Sequence, residues 1–214
     1  MKSVADRFDM GKSSVSVSFM RVVKIVCSLV LYVIKWPTGE RLQHIKEKFR
    51  RIAGLQNVIG AVDGTYVDIN APPEDPESYI TRKCSYSITL QAIADPFLKF
   101  TDIFAGFPGS VSDNRIFRNS DLYIVVRNNI QNYFPNQEFI IGDKAYPLLS
   151  WCIPPYINRG NMTPAKTYFN SIMAKTRQVV ERSFALLFGR FRRVKFLDVN
   201  RHDYTGSPRT GGPK

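Results

Sequence analysis

Val58-Ile59-Gly60-Ala61-Val62-Asp63-Gly64-Thr65 is an apolar, β-branched run that ends in a carboxylate. Small and β-branched side chains at this density suit a buried strand. A carboxylate closing such a run is costly to bury unless it is paired or bound to a metal ion. Phe139-Ile140-Ile141-Gly142-Asp143 repeats the arrangement. Two strands ending in Asp at the same edge of one sheet set two carboxylates side by side. Their repulsion is relieved by a divalent cation, and hard oxygen ligands suit Mg2+ or Mn2+. Taken singly, either Asp is also an ordinary turn residue, so the pairing carries the reading.

The segments around these two strands define the fold class. The first run belongs to a strand between Gly54 and Ala71, broken by Pro72-Pro73-Glu74-Asp75-Pro76. Tyr86–Ala94 and Leu98–Gly106 read as two further strands joined at Asp95-Pro96, a hairpin signal. Ser112-Asp113 leads into a helix expected over Asn114–Arg127. A short buried strand, Glu138–Asp143, follows, then a Pro154-Pro155 loop. Phe169–Phe188 is the most strongly periodic helix, with Ile172, Thr176, Val179, Val180, Phe184, Leu187 and Phe188 on its inner face. Arg192–Val199 is a candidate last strand. Three antiparallel strands followed by α/β crossovers predict a mixed sheet flanked by helices, and the RNase H-like architecture is one fold of that description.

Two more carboxylates stand near this frame. Glu181 lies one step from Val180, at the border of the apolar face of the periodic helix, where a side chain can look toward the sheet edge. Its bland reading is a solvated residue paired with Arg177 one turn earlier. Asp113 sits at the start of the helix after the third strand, and alone it reads as a helix N-cap sooner than as a ligand.

Ahead of the sheet, residues 1–53 form a small helical segment: Ser13–Ile34, stopped by Trp36-Pro37, and Gly39–Ile52, with Leu42, Ile45, Phe49 and Ile52 on one face. The domain expected after it covers 54–199, and residues 200–214, almost devoid of apolar side chains, read as a disordered tail. The apolar run Ile25–Ile34 is about half of the roughly 20 residues a spanning helix needs, so no membrane anchor is expected.

The chain of 214 residues has a hydrophobic fraction of 44%, enough to bury a core, which excludes disorder for most of its length. Its three cysteines and two histidines show neither CxxC nor HxxxH spacing, which argues against a disulfide framework or a zinc finger and for a reducing, intracellular setting. The net charge of +12 is uneven: residues 1–50 carry +6, 51–165 carry −2 and 166–214 carry +8. Basic ends flanking a slightly acidic middle fit a polyanion partner, whose condensed counterions Lys and Arg release.

Five segments together resemble the Harbinger (PIF-type) transposases and the nucleases derived from them, within the DDE superfamily. They are Gly60–Tyr66, Tyr86–Asp95, Gly106–Phe117, Ile141–Pro147 and Arg177–Phe184, in the family's order, with Ile34-Lys35-Trp36-Pro37 similar to the family's lead-in. The resemblance spans roughly residues 6–199. It implies an RNase H-like core in which Asp63, Asp143 and Glu181 form a catalytic acidic triad. It also implies a fourth acidic position at Asp113, with these four residues holding two divalent ions, Mg2+ or Mn2+. The implied activity is endonucleolytic hydrolysis of DNA, in the nucleus and also the cytoplasm, with DNA and a separate DNA-binding protein as partners. The family usually has His at the positions of Tyr66 and Ser112, and a Lys near Gly189 where Arg190 stands; its fold also continues beyond the last strand, so a shortened or divergent copy is expected. The competing reading is a catalytically silent descendant that binds DNA or protein.

Overall fold

The computed structural model of the chain describes residues 2–197; the expected tail, 200–214, lies outside them. Two compact units divide the chain at Lys35 and Trp36.

The first unit is helical: α1 (Lys2–Arg7), α2 (Lys12–Ser28) and α3 (Val30–Val33). The expected helix over Ser13–Ile34 is thus present, with an irregularity at Leu29. Together Lys12–Val33 make 22 helical residues, long and apolar enough by length and composition to cross a membrane. Counting only the uninterrupted apolar run underestimates this stretch, because helical periodicity lets Arg21 and Lys24 share one stripe while Val22, Val23, Ile25 and Val26 continue the apolar surface. At a bilayer centre each of those two cations would cost about 2.5–3.5 kcal/mol.

The second unit opens with α4 (Gly39–Ala53), which ends at Gly54 in the left-handed conformation (φ +86°), the usual glycine stop. Its Leu42, Ile45 and Phe49 are buried in the same core as Val58, Ile59 and Val62. The division therefore falls before this helix and not after it, as the expected boundary at residue 53 had it. An amphipathic helix with three large apolar residues on one face needs a partner surface, and here the sheet supplies it.

The sheet has six strands. β1 (Val58–Ile69), β2 (Ser87–Ala94) and β3 (Phe100–Pro108) pair antiparallel, β2 between the other two. On the other side of β1 lie β4 (Phe139–Ile141) and, beyond it, β5 (Cys152–Ile153), both parallel. β6 (Phe196–Leu197) pairs parallel with the far end of β1, at Asp68 and Ile69. The order β3-β2-β1-β4-β5 with helices against it is the RNase H-like arrangement.

Between β3 and β4 the single helix expected over Asn114–Arg127 is two, α5 (Asp113–Arg118) and α6 (Asp121–Asn128), followed by α7 (Ile130–Tyr133). Ser120 makes the break: its hydroxyl caps α6 by accepting the Tyr123 N–H at 3.2 Å and donates to the Phe117 carbonyl at 2.7 Å. The periodic helix runs further than expected, as α8 (Pro164–Arg190), because Thr163 caps it and Pro164 opens its first turn. It buries Met173, Thr176, Val179, Val180, Ser183 and Phe184. α4 and α8 pack against β1, and α5 against β2.

Candidate active site

The site lies where β1 loses its parallel neighbour. Ala61 pairs with Ile141, and β4 ends there; on that side β1 meets β6 only at Asp68. Asp63 stands two residues beyond Ala61, and Asp143 two residues beyond Ile141. Neighbouring strands are about 4.8 Å apart, so this register brings both aspartates to one level of the open crevice at the carboxyl end of β4. Such crevices at the carboxyl ends of strands are where open α/β sheets place their chemistry.

Consecutive strand residues face opposite sides, and the site uses both. Asp63 points to α8: its Oδ2 lies 3.1 Å from Arg177 Nη1, while its Oδ1 accepts the Gly64 N–H at 3.0 Å. Gly64, one residue on, faces α5. A Cβ there would lie 2.6 Å from Asp113 Oδ1, so the absence of a side chain at Gly64 is what admits the Asp113 carboxylate to the sheet. Asp113 is not the cap of α5; Ser112 holds that position, and Asp113 is the first helical residue. Asp143 accepts the Ala145 N–H at 2.8 Å, which closes a tight turn, and the Tyr146 N–H bonds to the Asp143 carbonyl.

Glu181 is half exposed and is tied to Arg177 Nη2 at 2.9 Å. One guanidinium therefore bridges Asp63 and Glu181. The expected Arg177–Glu181 pair along the helix is present, but the second arm, to Asp63, links residues 114 positions apart and no local pattern announces it. Arg177 Nη1 keeps ion-pair distance from Asp63 without hydrogen-bond alignment.

The electrostatics reflect three carboxylates sharing little compensation. Burial pushes Asp63 up to about 6 against the pull of Arg177 and the Gly64 N–H, and the charges of Asp143 and Asp113 add to the rise. Asp113 is also raised, by burial and then by Asp143. Tyr146, three residues after Asp143, is buried, and its hydroxyl has no hydrogen-bond partner. It is held well above the usual phenol range by burial first, then by the charges of Asp113, Asp63 and Asp143. Beside Asp143 opens a cavity of about 300 Å³, with Lys144, Asn170 and Arg177 among its walls. Among the described residues, no group of three or more His, Cys, Asp or Glu side chains is drawn together tightly enough to form a ready-made metal cage.

The sequence brings out all four acids but not what surrounds them. Tyr146 lies within a quoted segment, yet nothing in Asp143-Lys144-Ala145-Tyr146 shows that the ring folds back over Gly142.

A family model described as a DDE superfamily endonuclease matches residues 62–205, about two thirds of the chain. The chain belongs to the DDE superfamily endonucleases. Among its relatives are an ALP1-like protein of Arabidopsis thaliana, 30% identical over 88% of this chain and 48% of its own length, and the Arabidopsis "Antagonist of like heterochromatin protein 1", 27% identical over 89% and 50%. A human relative named "Putative nuclease HARBI1" is 26% identical over 88% of this chain and 53% of its own. These names agree with the Harbinger resemblance. The chain spans about half the length of these curated relatives. No solved structure matches it.

Proposed function

We propose that this DDE endonuclease chain hydrolyses DNA phosphodiester bonds by a two-metal-ion mechanism, with Asp63, Asp143 and Glu181 as its catalytic carboxylates and Asp113 as a fourth ligand. The observation that carries the reading is the register that sets Asp63 and Asp143 at one level of the crevice, with Asp113 admitted beside Gly64 and burial raising Asp63 to about 6. A fold gains nothing by desolvating several like charges beside one arginine; a site for hard cations needs that donor set. The residues present fit Mg2+ or Mn2+ in chemistry: all four are oxygen donors, and the buried Tyr146 hydroxyl, three residues after Asp143, has no hydrogen-bond partner in the protein.

Two divalent ions supply an activated water and stabilise the leaving oxygen in an in-line displacement. The chain's own residues set the rest. Asp63 and Asp143 hold one level of the crevice, and Gly64 keeps room for Asp113. Arg177 neutralises Asp63 and Glu181, and it lines the neighbouring cavity together with Lys144. Exposed Arg190, the last residue of α8, and Arg192 and Arg193 just beyond it offer phosphate contacts to DNA. With DNA as substrate, the proposed place of action is the nucleus. Arg177 bridging two of the four acids favours a second reading, a silent fold that binds DNA or protein without cutting it.

Nicking of supercoiled plasmid by the purified chain separates them. The nuclease reading expects Mn2+-dependent nicking that Asp63→Asn, Asp143→Asn and Glu181→Gln each reduce to background while DNA binding persists. Asp113→Asn should also lose activity, because Ser112 and not Asp113 caps α5, which leaves the carboxylate to act as a ligand. Wild-type protein that neither nicks DNA nor binds Mn2+ leaves the silent fold.

A further inference from the structure

We propose that Tyr146 is a positioning residue of the acidic site, its hydroxyl donating a hydrogen bond to a water held there together with a divalent cation. The inference rests on the nuclease reading above and adds to it a residue outside the four carboxylates.

Three observations fix the ring. Tyr146 is only 3% exposed. Its ring lies against Gly142 so closely that a Cβ there would meet Cγ and Cδ2 at 2.7 Å. Phe117, from α5, meets it edge-on at 5.3 Å between centroids and 84° between planes. Packing from both sides leaves the side chain no freedom to carry its hydroxyl elsewhere.

The hydroxyl itself is the anomaly. It has no hydrogen-bond partner in the protein, although buried hydroxyls normally have one. Phenylalanine would fill the same space with no such cost, so packing alone does not call for tyrosine. The ring sits among the elements that carry the acids: it lies on Gly142, next to Asp143, and against Phe117, on the helix that opens with Asp113. The hydroxyl bonds none of these carboxylates directly, and a buried donor left so is satisfied by an intervening water. Where carboxylates hold hard cations, such waters belong to the cation's shell, and the groups that orient them tune affinity.

Tyr146→Phe in the full chain, titrated with Mn2+ by calorimetry, tests this. Groups of this kind change metal affinity by about 10–100-fold; the lower end is expected, an affinity about tenfold weaker than wild type. The metal-free variant should melt at the wild-type temperature or higher, since an unpartnered hydroxyl is removed. A role in packing alone would move both states alike. A second measurement needs no substitution: adding Mn2+ to wild-type chain should perturb the near-ultraviolet absorption of a buried tyrosine, and the perturbation should vanish in Tyr146→Phe. Equal Mn2+ affinity in the two proteins, or no tyrosine perturbation in a wild type that binds Mn2+, overturns the role of Tyr146 and leaves the nuclease reading standing. Wild-type chain that binds no Mn2+ overturns both.

Discussion

Glu138 and Asp63 are carboxylates at opposite ends of the same pair of parallel strands, each facing a cation from a helix, and they differ in every consequence. Glu138, just before β4, is 1% exposed and takes a hydrogen bond from Lys46 Nζ at 3.0 Å and another from the Asn136 N–H at 2.6 Å. Burial alone would raise it, but these donors outweigh burial and hold its carboxyl below the usual range. Asp63 also has a cation and a backbone N–H, at similar distances, yet it stands at about 6. The difference lies in company. Glu138 has its donors to itself, whereas Asp63 shares Arg177 with Glu181 and feels Asp143 and Asp113. Glu138 is fully matched, and Asp63 is left short of positive charge.

The sharpest way to break this contrast is by substitution at both places. Glu138→Gln strands Lys46, which is only 16% exposed, and should cost about 2–3 kcal/mol in denaturant unfolding. Asp63→Asn relieves a desolvated charge, so it should leave metal-free stability unchanged or raised while removing Mn2+ binding. Equal losses at the two sites would put Asp63 among the structural acids.

Arg177→Met sharpens the comparison from the side of the cation. With its competitor gone the acidic crevice should bind Mn2+ at least about tenfold more tightly, since a unit charge nearby is worth several kcal/mol at an effective dielectric near 20. Without metal, the variant should be less stable than wild type. Weaker Mn2+ binding in calorimetry would make Arg177 a support of the metal site and not its rival.

The last test is one of pH. Asp102, partly buried on β3, is pushed up to about 6 by burial and then by Asp121 at the head of α6. Its folded value lies above the unfolded one of about 3.9. Its contribution is therefore fully present below about pH 4 and is lost as pH rises through about 6. Asp102→Asn should match wild type near about pH 4 and exceed it near about pH 7.5, by no more than about 2–3 kcal/mol. A melting-temperature difference that does not grow over that interval would refute the assignment.

The strands and α8 were legible because their periods are strong: alternation with β-branched residues in β1 and β2, and a 3.6-residue stripe through Thr176, Val180 and Phe184. What a reading of the sequence misses is a break made by a single residue. Ser120 ends α5 and caps α6 through hydrogen bonds to Phe117 and Tyr123 that only the folded chain makes, so α5 and α6 read as one helix. β5 is two residues long and carries no period at all. Likewise the four acids were visible as residue types in sequence, while the arginine and tyrosine around them depend on contacts that only the folded chain makes.

β1 completes its pairing late, because β6, which closes its far end, is 127 residues downstream of Ile69 at Phe196. At ordinary rates of synthesis that interval is on the order of 10 s. Before its partner strands are made, Val58–Ile69 is the kind of apolar, β-rich segment that nucleates aggregates on nascent chains. In the unfolded chain Asp63 titrates normally and is ionised at neutral pH. The charge proposed to serve the crevice thus also acts as a gatekeeper within the strand during biosynthesis, and removing it should lower the soluble yield of the chain.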